Sequence, residues 1–245
     1  MAKKLSDIEK EVVDSTESFI RYLDKAVDKD TMSILHAINQ ETDLLIFSGI
    51  IRNFFLGIST NRDLDITLEK KIDVIKYFRG WEIKYNSYGG YKLFNGSLDI
   101  DLWFIEDSWA FNHYQKQLGF QLDRKIPDTV FFNFSAVAFS FRQKKFYFTK
   151  HFVRFLRDKK IDIVSKDNAN NMLCVVNTLY YSDKYKLKIS ENLFEYIRDL
   201  FKDYPGSYDD VQKKHFGKVL YSKYDIKIRL EKPKFKIVKT RAKKF

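Results

Sequence analysis

A single cysteine, Cys174, gives the 245-residue chain no internal disulfide, which excludes the disulfide-stapled secreted scaffolds. Its setting, Met172-Leu173-Cys174-Val175-Val176, is that of a small buried hydrophobe rather than a nucleophile. Proline and glycine are also scarce, with 3 and 9 residues, so collagen-like and low-complexity classes are excluded. No apolar run approaches the roughly 18–20 residues of a membrane span, so no membrane partner is expected. The first residues lead into a charged helical pattern without a secretory apolar stretch, and with the lone cysteine this predicts a reducing, cytoplasmic setting. Four histidines, His36, His113, His151 and His215, lack metal-ligand spacing, which argues against zinc.

Apolar and aromatic residues are plentiful, at 44% and 17%, enough for a packed core and too many for a disordered chain. Lys and Arg number 44 against 33 Asp and Glu, a balance of +11 that favours a polyanionic partner. About three Lys for every Arg, with abundant Asn, Ile, Phe and Tyr, is also what a biased base composition produces, so position carries more than the total. Nine of the cations lie between Lys227 and Phe245 beside a single acid, Glu231.

Periodicity predicts an amphipathic helix over 7–29 and a second over about 31–40. Leu44-Leu45-Ile46-Phe47 reads as a buried strand, and a short helix follows from Ile50 to Gly57. Asp63-Leu64-Asp65-Ile66-Thr67-Leu68 alternates like a two-faced strand, and another helix is expected from Lys71 to Phe78. A meander follows: Glu82 to Asn86, a Gly89-Gly90 turn, Tyr91 to Phe94, an Asn95-Gly96 turn, and Leu98 to Ile105. Asp107 to Leu118 reads as helix and Val130 to Phe148 as one or two strands. Beyond residue 150 the pattern is helical, over about 151–160, 168–184, 190–203 and 208–222. The expected class is α+β, a mixed α/β first part with a small mixed sheet flanked by helices and then a helical region. Domains are expected at 1–150, 151–226 and a basic tail at 227–245.

The chemistry concentrates between Phe47 and Ile66. A strand ending in Ser48-Gly49 lets the backbone turn sharply and bring helix N-terminal amides against a phosphate. Asp63 and Asp65, at i and i+2 on the next strand, point to one face. Two such carboxylates repel unless a cation neutralises them, and Mg²⁺ with substrate phosphates is the natural one. A third acid from Leu98-Asp99-Ile100-Asp101-Leu102-Trp103 would complete a two-metal clamp, and alternation alone leaves Asp99 and Asp101 equivalent. Arg52 on the first helix is placed to meet a phosphate or the carboxylates. Arg62 precedes the acids and is expected to pair with them locally as an alternative to meeting the nucleotide, and Lys92 lies on the neighbouring hairpin. Phe54, Phe55, Phe131, Phe132, Phe134, Tyr180 and Tyr181 sit in core-like patterns and are expected to pack rather than stack on bases. The basic tail, with Phe235 and Phe245 interleaved, fits single-stranded nucleic acid as well as it fits a solvated end.

Ser48-Gly49, thirteen residues and Asp63-x-Asp65 resemble the signature of the DNA polymerase β-like nucleotidyltransferase superfamily. Ser48-Gly49-Ile50-Ile51-Arg52-Asn53-Phe54-Phe55-Leu56-Gly57, with Arg62-Asp63-Leu64-Asp65 after it, is similar to the head of poly(A) polymerases and CCA-adding enzymes. Phe132-Asn133-Phe134-Ser135-Ala136-Val137-Ala138-Phe139 resembles a later head strand, and Val176 to Ile197 resembles the neck helices. Gly90-Tyr91-Lys92-Leu93 with Asp101-Leu102-Trp103 and Trp109-Ala110-Phe111 resembles a bacterial stand-alone subgroup, where the acid before the tryptophan is the third ligand. That choice favours Asp101 over Asp99.

The resemblance spans roughly 44–200. Ser48 stands where the family usually has Gly and Asn53 where it has Asp. Val130-Phe131 replaces an Arg-Arg-Asp, and the neck arginines are missing around Val176-Asn177, so the metal core is the part retained.

The resemblance implies a polymerase β-like nucleotidyltransferase head with two Mg²⁺ held by catalytic Asp63, Asp65 and Asp101. An NTP would be bound by Ser48, Gly49, Arg52, Arg62 and Lys92. The reaction implied moves an NMP to an acceptor hydroxyl and releases pyrophosphate. RNA is the expected acceptor, with a tRNA 3′ end as one candidate, in maintenance or as a toxin or defence component with an antitoxin partner. Two alternatives are nucleotidylation of a protein or small molecule, and a catalytically weak RNA-binding regulatory module.

Overall fold

The computed structural model describes residues 3–61, 63–85, 89–118, 122–167 and 170–231. Arg62, Asn86 and the tail from 232 onward, expected as a nucleotide ligand, a strand end and a nucleic-acid contact, lie outside the described residues. The chain divides into two compact units, Met1–Asp167 and Asn168–Phe245. The architecture is α+β, and no helix among the described residues is long and apolar enough to cross a membrane.

The first unit is built on a seven-stranded sheet ordered β3-β4-β5-β2-β1-β6-β7. Its strands are β1 Leu44–Phe47, β2 Asp63–Leu68, β3 Glu82–Tyr85, β4 Tyr91–Phe94, β5 Asp99–Phe104, β6 Val137–Ser140 and β7 Lys145–Phe148. Only β2 and β5 run parallel; every other pair is antiparallel, so the sheet is mixed. Period-2 alternation sends Leu64, Ile66, Ile100 and Leu102 into the core, all fully buried, and turns the odd-numbered acids of β2 and β5 to the other face. The expected Asn95-Gly96 hairpin is present, with Gly96 at φ +95° and the Asn95 side chain accepting from the Ser97 and Leu98 amides.

Helices α1 Leu5–Asp14, α2 Thr16–Ala26, α3 Lys29–Glu41, α4 Gly49–Phe55 and α7 Lys150–Asp158 supply the apolar partners of the sheet. Phe19 of α2 is the hub. Its ring lies 5.2 Å from Phe54, 5.0 Å from Phe139 and 5.2 Å from Phe146, joining α2, α4, β6 and β7. On the opposite face α5, Trp109–Leu118, packs Ala110, Phe111 and Tyr114 with Leu45, Ile105 and Tyr147. α6, Leu122–Lys125, follows it.

In the first unit three local expectations differ from the structure. The single helix over 7–29 breaks at Ser15, because the Ser15 and Thr16 hydroxyls donate to the Glu11 and Val13 carbonyls and compete with the helical ladder. Lys71 to Phe78 forms only a 3₁₀ turn at Ile75–Tyr77, since Val74 and Phe78 alone bury side chains there and Asp73 caps the Ile75 amide. Before β6 the chain forms a 3₁₀ turn at Asn133–Ser135, held where the Asn133 amide donates to the Lys160 carbonyl and accepts from the Asp162 amide.

The second unit is helical: α8 Asn171–Tyr185, α9 Glu191–Asp203, α10 Tyr208–Phe216 and α11 Lys223–Glu231. Asn170, Ser190 and Ser207 cap the first three with side-chain oxygens, and α10 stops at Gly217, φ +71°. Helix α10 is thus shorter than the expected 208–222, and α11 takes up the first part of the segment expected as a tail.

Gly90 opens β4 in close contact with the next strand. A β-carbon there would overlap the Leu102 carbonyl oxygen and the Trp103 indole. Gly90→Ala should therefore destabilise the protein by about 2–3 kcal/mol, an overpacking loss, read as a lowered urea midpoint at unchanged slope.

Candidate active site

Strand β1 ends at Phe47 and the chain turns at Ser48 into α4. Ser48 sits at φ 60°, ψ −117°, a conformation natural to glycine and strained for serine. The turn brings the Gly49 amide to the Asp65 carboxylate, which accepts its hydrogen bond. A β-carbon on Gly49 would lie 3.7 Å from both Arg52 Nη2 and Asp63 Oδ1, so the turn is flanked by a guanidinium and a second carboxylate.

Across the sheet, Lys92, Asp101, Asp65 and Phe47 are successive register partners and share one face. Asp99 and Asp63 form the adjacent pair. Lys92 Nζ lies 3.2 Å from Asp99 Oδ2 and 3.6 Å from Asp101 Oδ2. Phe47 and Trp103, 5.9 Å apart, wall the side toward α5.

These charges strain one another. Burial, then the charges of Asp63 and Asp101, push the Asp65 carboxyl up to about 7, against the pull of the Gly49 amide and Arg52. Asp101 is also raised, first by burial and then by Asp63 and Asp99, with Lys92 opposing. For Lys92, burial pulls down, but Asp101, Asp99 and Asp63 outweigh it and hold the ammonium charged. Of the two acids on β5, Asp101 lies directly opposite Asp65 and adds to the charge of Asp63 that raises it; Asp99 is the closer partner of Lys92.

Arg52 is buried. Its Nε and Nη2 donate to Asn53 Oδ1 at 3.3 and 3.1 Å, and the guanidinium lies 5.2 Å from the Phe134 ring centroid. The structure therefore brings Ser48, Gly49, Arg52, Asp63, Asp65, Lys92 and Asp101 into one neighbourhood. Among the described residues no group of three or more His, Cys, Asp or Glu side chains is placed to hold a metal ion. The donor chemistry nonetheless suits a hard divalent cation: Asp63, Asp65 and Asp101 offer carboxylate oxygens on one face, and a cation would relieve the repulsion that raises Asp65.

Sequence reasoning missed the support beneath the acids. Asn53 Nδ2 donates to the Thr60 carbonyl and to Asn61 Oδ1, both at 3.0 Å. Asn61 Nδ2 donates to the Tyr22 hydroxyl at 2.8 Å, and that hydroxyl donates to the Ile58 carbonyl at 2.9 Å. The chain of bonds pins the loop that delivers Asp63. Its one signal was Asn53 standing where the family usually has Asp; Tyr22, in a helix 39 residues from Asn61, gave none.

Two outcomes follow from this geometry. Ser48→Gly should relieve the turn and raise stability by about 1 kcal/mol, measured by urea unfolding. For Asp65, the folded chain keeps its proton up to about pH 7, whereas the unfolded carboxyl releases it near 3.8. The folded state binds more protons between those values, so in chelator stability should fall as pH rises from about 4 to about 7. Asp65→Asn should flatten that fall and melt higher than the parent chain at pH 8.

No family model and no curated protein sequence matches the chain. Solved structures do. It is similar to a CCA-adding enzyme with ATP, at TM-score 0.62 and 14% identity over 86% of this chain and 53% of that one. The Thermotoga maritima CCA-adding enzyme complexed with tRNA gives TM-score 0.62 and 14% identity over 86% and 52%. A tRNA nucleotidyltransferase complexed with a primer tRNA and an incoming ATP analog gives 0.52 and 16% over 69% and 49%. The chain spans about half the length of these proteins. With the mixed sheet, the strand-turn-helix at Ser48 and the paired acids already in place, the likeness shows that the chain shares its fold with about half the length of the CCA-adding enzymes.

Proposed function

We propose that the chain is a Mg²⁺-dependent nucleotidyltransferase that moves a nucleoside monophosphate from an NTP to an acceptor hydroxyl. The observation that carries this is the register pairing of Asp65 with Asp101 beside the Ser48-Gly49 turn. Asp63 and Asp65 would hold two Mg²⁺ and Asp101 one of them. When bound, the ions would supply charge neutralisation at the phosphates and acidify the acceptor hydroxyl.

The chain's own groups account for the rest. The Ser48-Gly49 turn receives the triphosphate, and Lys92, already charged beside the acids, pairs with its oxygens. Arg52 keeps positive charge beneath Asp65. Arg62 is assigned to the nucleotide by its place before Asp63. Asp101, with its raised proton affinity, takes the hydroxyl proton. The acceptor oxygen bonds to the α-phosphorus, the bond from that phosphorus to the bridging oxygen breaks, and pyrophosphate leaves with the electron pair.

RNA is the acceptor class favoured by the balance of +11 and by the tRNA partners of the similar structures. Addition of CCA itself is not part of the proposal, because Val176-Asn177 lacks the neck arginines.

The test incubates the protein with each labelled NTP, Mg²⁺ and total cellular RNA. Label should enter RNA; label in protein would favour protein nucleotidylation, and label nowhere would favour a binding module. Asp63→Ala, Asp65→Ala and Asp101→Ala should each lower transfer by roughly a thousandfold, the scale of several kcal/mol of lost charge stabilisation. Undiminished NTP turnover in these variants would overturn the assignment.

A further inference from the structure

The second unit carries two stretches in which cations and flat rings alternate. Tyr180 to Lys188 contains Tyr180, Tyr181 and Tyr185 with three lysines and one acid, Asp183. Lys213 to Tyr224 contains four lysines, three aromatic rings and His215, with no acid at all. Folding brings the two together. Tyr180 lies 5.0 Å from Phe216, and the Tyr221 hydroxyl donates to Asp183 at 2.8 Å.

Two acids border the rings and both are engaged: Asp183, and Asp225 beside Tyr224, whose carboxylate accepts from the Ser222 amide and hydroxyl. Asp183 is taken up by Arg229 at 2.7 Å, and the same guanidinium stacks 4.7 Å over the Tyr221 ring. Tyr181 and Tyr185 lie parallel, 6.0 Å apart at 9°. Lys184 Nζ stands 5.4 Å from the Tyr180 ring centroid and 5.3 Å from that of Tyr185, a positive charge amid the rings. Lys184, Lys186, Lys213, Lys214, Lys218 and Lys223 are exposed, as is Tyr224 at 70%. Buried Gln212 fixes the loop between α10 and α11. It donates to the Tyr208 and Tyr221 carbonyls and accepts from the Leu220 and Tyr221 amides. The surface is therefore built on a held loop.

We propose that this surface binds single-stranded RNA, with bases stacking on Tyr181, Tyr185 and Tyr224 and phosphates meeting the lysines around them. Aromatic faces interleaved with lysines suit a strand whose bases are unpaired. A duplex hides those faces, and an acidic peptide has no use for them. The surface lies wholly in the second unit and does not depend on the acids of the first. Tyr180 packs on Phe216 as expected, and the proposal adds a base-stacking role for Tyr181 alone of that pair.

The experiment is fluorescence anisotropy of the full chain with a labelled twelve-nucleotide single-stranded RNA across a salt series. Residues 232–245 are present in every variant, so their contribution is constant. Tyr181→Ala and Tyr224→Ala should each weaken binding about tenfold at fixed salt with an unchanged salt slope, and Tyr181→Phe should restore it. Lys213→Ala with Lys214→Ala should lower the slope of log K against log salt by about 1.4, two phosphates' worth. Binding is read without NTP or Mg²⁺, which separates this surface from the proposed chemistry. Parent-like affinity in Tyr181→Ala and Tyr224→Ala would overturn the proposal. Equal affinity for the RNA duplex, or equal competition by polyglutamate, would do the same.

Discussion

The structure of the first unit turns on one unfavourable interaction, the approach of Asp65 and Asp101 across a pair of parallel strands. Carboxylates in register, partly buried and flanked by Asp63 and Asp99, repel at any pH where all ionise. A sheet tolerates this only if other groups on the face offset it. Lys92 does so from β4, the Gly49 amide from the start of α4, and Arg52 from within α4. Each is fixed by the register or the turn that also fixes an acid. Neutralisation and the placement of the acids are therefore one property of the sheet.

A second constraint serves the first. Ser48 holds a conformation that glycine adopts without penalty, so the geometry of the turn is imposed by what it joins. On one side β1 is locked between β2 and β6; on the other α4 is anchored by Phe54 and Phe55 in the aromatic core. The loop that follows is tied by Asn53, Asn61 and Tyr22. A polar chain of this kind is stable in a partly buried place because each member is both donor and acceptor, leaving nothing unpaired along it. The acids stand on a strand whose entry is held by hydrogen bonds and whose neighbours are held by packing.

What the sequence made legible was periodic or punctuated. Asp63 and Asp65 share a face by the period of a strand, and Asn95-Gly96 marks a hairpin by its turn chemistry. β1 announces itself as an apolar run ending in small residues. What stayed hidden depends on contacts between distant residues. The choice of Asp101 over Asp99, which the sequence offered only through its resemblance to a known subgroup, is physically a matter of register between strands some 36 residues apart, which alternation leaves open. The role of Tyr22 is invisible because its ring satisfies the helical pattern and only its hydroxyl reaches the loop. The packing of Tyr180 on Phe216 is hidden in the same way: its own spacing is helical, and its partner comes from a helix 36 residues on. The break at Ser15 is local, but a hydroxyl donating to a carbonyl four residues back leaves no mark on hydrophobic spacing.

Charge balance gives the candidate site its remaining requirement. The face carries Asp63, Asp65, Asp99 and Asp101, and the cations in direct play are Lys92 and Arg52, the second of them already donating to Asn53. A triphosphate adds several more negative charges. The two fixed cations among the described residues do not offset four carboxylates and a polyphosphate together, so on the proposed reading NTP binding would need the further positive charge that Mg²⁺ and Arg62 would bring. Protonating Asp65, which its raised affinity allows near neutral pH, removes one charge and no more. Surface lysines further along the sheet, such as Lys84 beyond Lys92, are too solvated to make up the difference. The same arithmetic explains how a chain with an excess of eleven cations keeps so few of them at its acids. A site filled with lysine would hold phosphates without leaving carboxylates free for a metal, whereas the proposed site, short of cations, would take phosphate and metal together.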